Sequence, residues 1–354
     1  WGQTVEALGY HGIFISDHVA ITPSVTPRYP EPYYDALMSL SWLAARTAHI
    51  DLGTTVIVLP YRHPVLLARQ VAWADIAAVM GRLRPTTIAA ALGLTLVSYL
   101  GRAQRWAGLL ARAGRPVALG PAWALTLVGV GYGLVTPGKV GEFARVLHLG
   151  VPRPVALASV VWDRLTDVIL LELLALPAFV FVPAWRGTVL ALFALITLAT
   201  LLILVALEHA PLQTMLARLV PPLRAPLARW REASAGTLTS DAFRLGLAGG
   251  AFYYALNFTA AFLLLRDLVP HAPMSLMLGF PIIPLLGNLP IAFSGIGLRE
   301  HVSATMFAQL GSSAAAGPAY SLSLFAITTL LPGLLGLCLA ATPWVRSARA
   351  GAAS

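Results

Sequence analysis

From Thr86 onward the chain is a succession of apolar runs, and this limits what it can fold into more than any other feature. Candidate spans lie at 86–101, 118–135, 155–182, 188–207, 245–265, 275–289 and 319–341. A helix needs roughly 20 apolar residues to cross the hydrocarbon core of a bilayer. The run at 86–101 is marginal by that measure, and 275–289 is short and interrupted by Pro281, Pro284 and Gly287. Only 11% of the residues are charged, against about 25% in a soluble protein, and the mean hydropathy is +0.76. These features predict an all-α polytopic membrane protein. The net charge of +9 comes mostly from Arg. In such a protein it points to cytoplasmic loops and anionic lipid, with no role for nucleic acid. The lone cysteine, Cys338, gives no disulfide framework and no thiolate metal site. His148, His209, His271 and His301 lack metal-ligand spacing, so no metal is assigned. The chain begins with Trp and shows no signal peptide, so its N-terminus is read as that of a fragment.

Arg102, Arg105, Arg112 and Arg115 mark one loop as cytoplasmic. Arg218, Arg224, Arg229 and Arg231 mark a second, and Arg346 and Arg349 mark the C-terminus. Simple alternation through the spans does not satisfy all three. It does if 137–149 and 281–300 each dip into the bilayer and return, as Pro/Gly-interrupted apolar stretches do. Two re-entrant or broken helical segments are therefore expected. The same count leaves the N-terminus outside the cell, with a first transmembrane helix missing.

The first eighty residues read differently. A helix end at 5–9, a buried strand at 11–19, a helix at 33–49, a second strand at 50–60 and a helix at 64–78 alternate as in a parallel α/β barrel. The text ALGYHGIFISDHV (7–19), then AARTAHIDLGTTVIVLPYRHPVLLARQVAWAD (44–75), then GRL (81–83) resembles the luciferase-like monooxygenases. Those are flavin- or deazaflavin-dependent TIM barrels. The resemblance spans about a quarter of a typical barrel of ~250 residues, so residues 1–83 are expected to be a partial, TIM-barrel-derived α/β fragment ahead of a membrane domain at 84–354. It implies that Asp17 and His18, at a strand end, would lie near the cofactor if the fragment were functional. No cofactor is expected of the fragment as it stands, and an oxidoreductase activity is the least favoured function.

Three clusters of charge lie within or beside the apolar runs. The first is Pro137-Gly138-Lys139-Val140-Gly141-Glu142-Phe143-Ala144-Arg145. The second is Trp162-Asp163-Arg164-Leu165-Thr166-Asp167, in which Arg164 and Asp167 share a helix face. The third runs from Asn288-Leu289-Pro290 to Ser294-Gly295-Ile296-Gly297-Leu298-Arg299-Glu300. Ionisable groups at membrane depth are costly and usually line a polar path. The first and third clusters echo each other, with glycines, a basic residue and a Glu, as in a transporter built from structural repeats. Structural ion pairs pinning helices together are the plainer alternative for all of them. Asp163 reads as a helix-end or interfacial group, Asn257 as an interhelical hydrogen-bonding residue, and Trp106, Trp123, Trp162, Trp185 and Trp344 as interface anchors.

Taken in order, Arg105-Trp106 with Leu109-Leu110, then Pro137-Gly138, Gly141-Glu142 and Arg145, then Arg164 and Asp167, then Gly295, Gly297, Arg299 and Glu300 resemble the transmembrane region of the lysylphosphatidylglycerol synthases, a flippase-like family. The match runs from about Thr86 to the C-terminus. It implies a protein of the plasma membrane that binds or moves a phospholipid or polyprenyl-phosphate lipid with an anionic or glycosylated head group. Lys139, Arg145, Arg164 and Arg299 would attract the phosphate. Glu142, Asp167 and Glu300 would hold those cations in the absence of lipid. Pro137, Gly138, Gly141, Asn288, Gly295 and Gly297 would shape the backbone around the head group. No aminoacyl-transfer domain follows Ala341, so lipid aminoacylation is not implied. A membrane glycosyltransferase or lipid-modifying enzyme is the runner-up, weakened by the lack of an Asp-x-Asp motif.

Overall fold

The computed structural model describes residues 1–16, 34–56, 73–134, 136, 140–150, 153–177, 186–209, 214–215, 218, 224–234, 236–287, 298–313, 315–342 and 345. Asp17, His18, Pro137, Gly138, Lys139, Asn288, Gly295 and Gly297 lie outside these residues. Contacts divide the chain into two units, Trp1–Trp73 and Ala74–Ser354.

In the first unit, α1 (Gly2–Ala7), β1 (Gly12–Ser16), α2 (Ala36–Ala44) and β2 (Asp51–Val56) succeed one another. β1 and β2 pair in parallel, Gly12 opposite Asp51, with an irregularity between Ile15 and Ser16. Parallel neighbours need a crossover, and α2 lies within it. Ile13, Leu43 and Ile50 form the core of this unit, with Val5, Ile15 and Leu52 against them. The Glu6 carboxylate accepts from the backbone N–H groups of Ala48, His49 and Ile50. Those bonds, that from His49 foremost, hold its carboxyl below the usual carboxylate range.

The second unit is helical. α3 (Trp73–Met80) turns into α4 (Pro85–Arg112), which starts on a proline whose fixed φ and missing N–H suit that position. Next are α5 (Leu119–Leu134), a 3-10 segment (Val140–His148), α6 (Arg153–Ala175), α7 (Arg186–Glu208) and α8 (Arg224–Ser234). Then come α9 (Asp241–Leu268), a 3-10 turn (Met274–Gly279), α10 (Ile282–Gly287), α11 (Leu298–Gln309) and α12 (Ala316–Ala340), which contains a π turn at Ala326–Leu330. Among the described residues, three helices, α4, α9 and α12, are long and apolar enough to cross a membrane. The protein is an all-α membrane protein over this unit. Leu190, Leu195, Leu198, Leu201 and Leu202 of α7 are exposed, giving the kind of apolar surface that a bilayer covers.

Two expectations change. α4 does not end near Gly101 but runs for 28 residues, so Arg102 and Arg105 are not loop cations; they are 4% and 1% exposed. The part of the Arg-rich stretch at 224–234 forms α8. The run at 275–289 is broken, as its prolines require: a 3-10 turn and the six-residue α10 replace a span.

Small residues set the helix spacing. α4 and α9 cross where a Cβ on Gly101 would collide with the Gly249 carbonyl oxygen. α5 and α12 meet where a Cβ on Gly131 would sit 2.6 Å from the Gly333 carbonyl oxygen. Such close approach is how helices pack in lipid, where apolar burial gives no drive to associate. Polar ties add to it: Asn257 Nδ2 donates to Ser98 Oγ at 2.6 Å, the interhelical bond expected of it. At one end the Arg84 N–H donates to Asp267 Oδ2 at 2.9 Å and its Nε to Oδ1 at 2.6 Å.

Candidate functional site

The 3-10 segment sets the first part of the site. Thr136 Oγ1 accepts from the Gly141 N–H at 2.7 Å, and a Cβ on Gly141 would strike the Tyr132 carbonyl. Only glycine lets the segment lie this close to α5, and the approach buries Glu142 and Arg145. On α4, Arg102 and Arg105 are three apart and share a face. On α6, Asp163 and Asp167 are four apart and do the same, with Arg164 beside them.

These seven residues form one network. Asp163 takes Arg105 Nε on Oδ1 at 2.6 Å and Arg145 Nη2 on Oδ2 at 2.5 Å. Asp167 lies 2.8 Å from Arg105 Nη2, 3.3 Å from Arg102 Nη2 and 3.4 Å from Arg164 Nη2. Glu142 Oε2 accepts from Arg102 Nη2 at 3.1 Å and also from Arg164 Nη2. Buried charges persist when paired in good geometry, and each carboxylate here serves at least two guanidiniums. Aromatic faces cover the cations: Arg145 lies 4.2 Å from the Trp106 ring centre and Arg102 5.2 Å from that of Tyr253. Gly246 and Gly250 of α9 leave a groove for Arg105, whose Nη1 would be 2.8 Å from a Cβ on Gly250.

Three members escaped the sequence reading: Arg102 and Arg105, taken for loop cations, and Asp163, taken for a helix-end group. Asp163 is fully buried. Trp106 and Trp162, expected at the interface, are buried too. The spacing carried a signal, because cations at i, i+3 on one helix match carboxylates at i, i+4 on another.

Arg299 and Glu300 lie elsewhere, at the start of α11. Glu300 Oε1 accepts from Ser321 Oγ at 2.8 Å and stands 3.9 Å from Arg299 Nη2. The Arg299 guanidinium sits 4.4 Å over the Phe325 ring. Its Nε and Nη2 are buried without a hydrogen-bond partner among the described residues. It lines a cavity of about 100 Å³ with Tyr253, Asn257, Phe280, Ser321 and Thr329 among the other walls. A smaller cavity of about 30 Å³ is lined by Tyr99, Arg102, Gly133, Glu142, Tyr253 and Thr329. Tyr253 and Thr329 therefore face both cavities. Chemically, the four arginines of the network are matched by three carboxylates at short range, although each also keeps at least one buried nitrogen without a hydrogen-bond partner among the described residues. Arg299 differs in that the carboxylate paired with it, Glu300, stands 3.9 Å away and in lining the larger of the two cavities. Among the described residues no group of three His, Cys, Asp or Glu side chains is arranged to hold a metal.

A model of the lysylphosphatidylglycerol synthase transmembrane region matches residues 39–336. The chain belongs to this family. As a lysylphosphatidylglycerol synthase transmembrane-region protein it is related to lipid and resides in a membrane. Its matched range starts well inside the residues that resemble luciferase-like monooxygenases. The chain is also 32% identical over 74 residues to the oxygenase component of a flavin-dependent trigonelline monooxygenase from Acinetobacter baylyi. That stretch is 21% of this chain and 19% of the monooxygenase, so the chain spans about a fifth of this relative's length.

Proposed function

We propose that the membrane unit binds the anionic head group of a phospholipid or polyprenyl-phosphate lipid and carries it across the plasma membrane, as a multi-pass, flippase-like protein. The observation that carries this reading is Arg299: a partly buried guanidinium on a cavity wall, whose paired carboxylate, Glu300, stands 3.9 Å away and whose Nε and Nη2 lack a hydrogen-bond partner among the described residues. A phosphate oxygen would fill them, since the planar fork of Arg matches phosphate geometry. Glu300, tied to Ser321, is the nearby anion that balances the guanidinium before lipid arrives. Arg164 is the least buried cation of the network, at 21% exposure, and is the second contact proposed, with Glu142 and Asp167 as its resting partners. Arg145 belongs to the same proposed path but is enclosed and paired with Asp163. Pro137, Gly138, Lys139, Gly141, Asn288, Gly295 and Gly297 remain proposed contributors to the path around the head group. Transfer of a head-group-labelled phospholipid between leaflets of proteoliposomes tests the reading. Transfer is expected for this chain and its loss on Arg299→Gln.

The match to a flavin-dependent monooxygenase favours a narrower second proposal: residues 1–83 form a luciferase-like fragment in which Asp17 and His18 would approach a flavin or deazaflavin. Visible absorbance of bound cofactor in the purified chain would support it; absence of that absorbance, the outcome expected of so short a fragment, would overturn the cofactor contact and leave only the likeness in sequence.

A further inference from the structure

Helix α12 carries Pro332 in its interior. Proline has no N–H to give; counted in an α-helical register, the carbonyl it leaves without its usual donor is that of Thr328, four residues earlier. Tyr99 of α4 supplies a donor: its hydroxyl donates to the Thr328 carbonyl at 2.9 Å. Tyr99 is 2% exposed, and its ring lies 5.4 Å from that of Tyr253. Just before the proline the helix widens into the π turn, where the Leu331 N–H reaches the Ala326 carbonyl, five residues back. A π turn holds one extra residue and so rotates the rest of the helix by about 100° relative to an α-helical register. Thr328 and Thr329 fall within it. The Thr328 hydroxyl donates to the Leu324 carbonyl at 2.7 Å; the Thr329 hydroxyl lies 3.5 Å from that of Thr328, and Thr329 lines both cavities.

We propose that Tyr99 is a positioning residue for the Arg299 site. By holding the carbonyl that Pro332 leaves unserved, it maintains the π turn, and the π turn places Thr329 on the wall shared by the two cavities. Thr329 then stands between Arg299 on one side and the Arg102–Glu142 pair on the other. Its hydroxyl is the donor that a phosphate oxygen meets in passing from the larger cavity to the smaller. This rests on the reading of the Arg299 cavity as an anion site, and adds to it the residue that sets the passage.

The test is thiol labelling and needs no lipid, so a failure to transfer lipid leaves its result standing. In a Cys338→Ser background, Thr329→Cys and Leu324→Cys are reacted with an anionic methanethiosulfonate, each with and without Tyr99→Phe. Leu324 lines the same cavity ahead of the π turn and reports on the cavity as a whole. With Tyr99 present, both cysteines are labelled. Tyr99→Phe slows labelling at 329 by roughly tenfold, the weight of one buried hydrogen bond, and leaves 324 nearly unchanged. Adding Pro332→Ala, which restores an N–H to the helix, removes the effect of Tyr99→Phe. The proposal is overturned if position 329 is not labelled at all, if Tyr99→Phe leaves it unchanged, if 324 and 329 slow together, or if Pro332→Ala leaves the Tyr99→Phe effect intact.

Discussion

Asp163 holds Arg105 on one oxygen and Arg145 on the other, and both contacts are closed to solvent. Removing its charge would leave two buried guanidiniums short of a partner. Breaking a buried pair in this way costs about 3–5 kcal/mol, so Asp163→Asn should markedly lower the melting temperature in detergent. Arg164→Gln should cost much less, because that side chain is 21% exposed and water replaces part of what it loses. Equal losses for the two variants would mean that burial does not grade this network. Residues of this kind were half legible. Glu142, Arg145, Arg164 and Asp167 stand out because they interrupt or flank apolar runs. Arg102 and Arg105 come after the end of such a run, where the same residue type normally reports topology, so their burial shows only once α6 brings carboxylates opposite them.

At the scale of elements, glycines decide which helices come close. Gly336 of α12 packs so tightly against α5 that a Cβ would collide with the Leu127 carbonyl oxygen, a backbone atom that no rotamer change can move. Gly336→Val should therefore push the two helices apart, at a cost of roughly 1–3 kcal/mol as for other overpacked sites. Gly93→Val, at an open position on α4, should lose far less. Similar melting temperatures for the two variants would count against the packing account. Helices such as α7 and α9 were legible in outline because long apolar runs admit few other structures. The length of α4 was not, since hydropathy stops at its first arginine while the helix continues. The π turn in α12 was hidden too. Pro332 is its only local sign, and its partner Tyr99 is remote in sequence.

Across the whole membrane unit, charge is divided between two tasks. Four arginines and three carboxylates pin α4, the 3-10 segment and α6 together, while Arg299 faces a cavity with donors to spare among the described residues. Family membership agrees with a lipid-related protein, and Arg299 is the cation proposed to take an anion. The most direct measurement is leaflet-to-leaflet transfer of head-group-labelled phosphatidylglycerol in proteoliposomes, comparing this chain, Arg299→Gln and Arg299→Lys, with each variant's melting temperature recorded. The account predicts transfer by the unaltered chain, its loss in Arg299→Gln, partial return in Arg299→Lys, and little change in melting temperature. Undiminished transfer by a folded Arg299→Gln protein would contradict it.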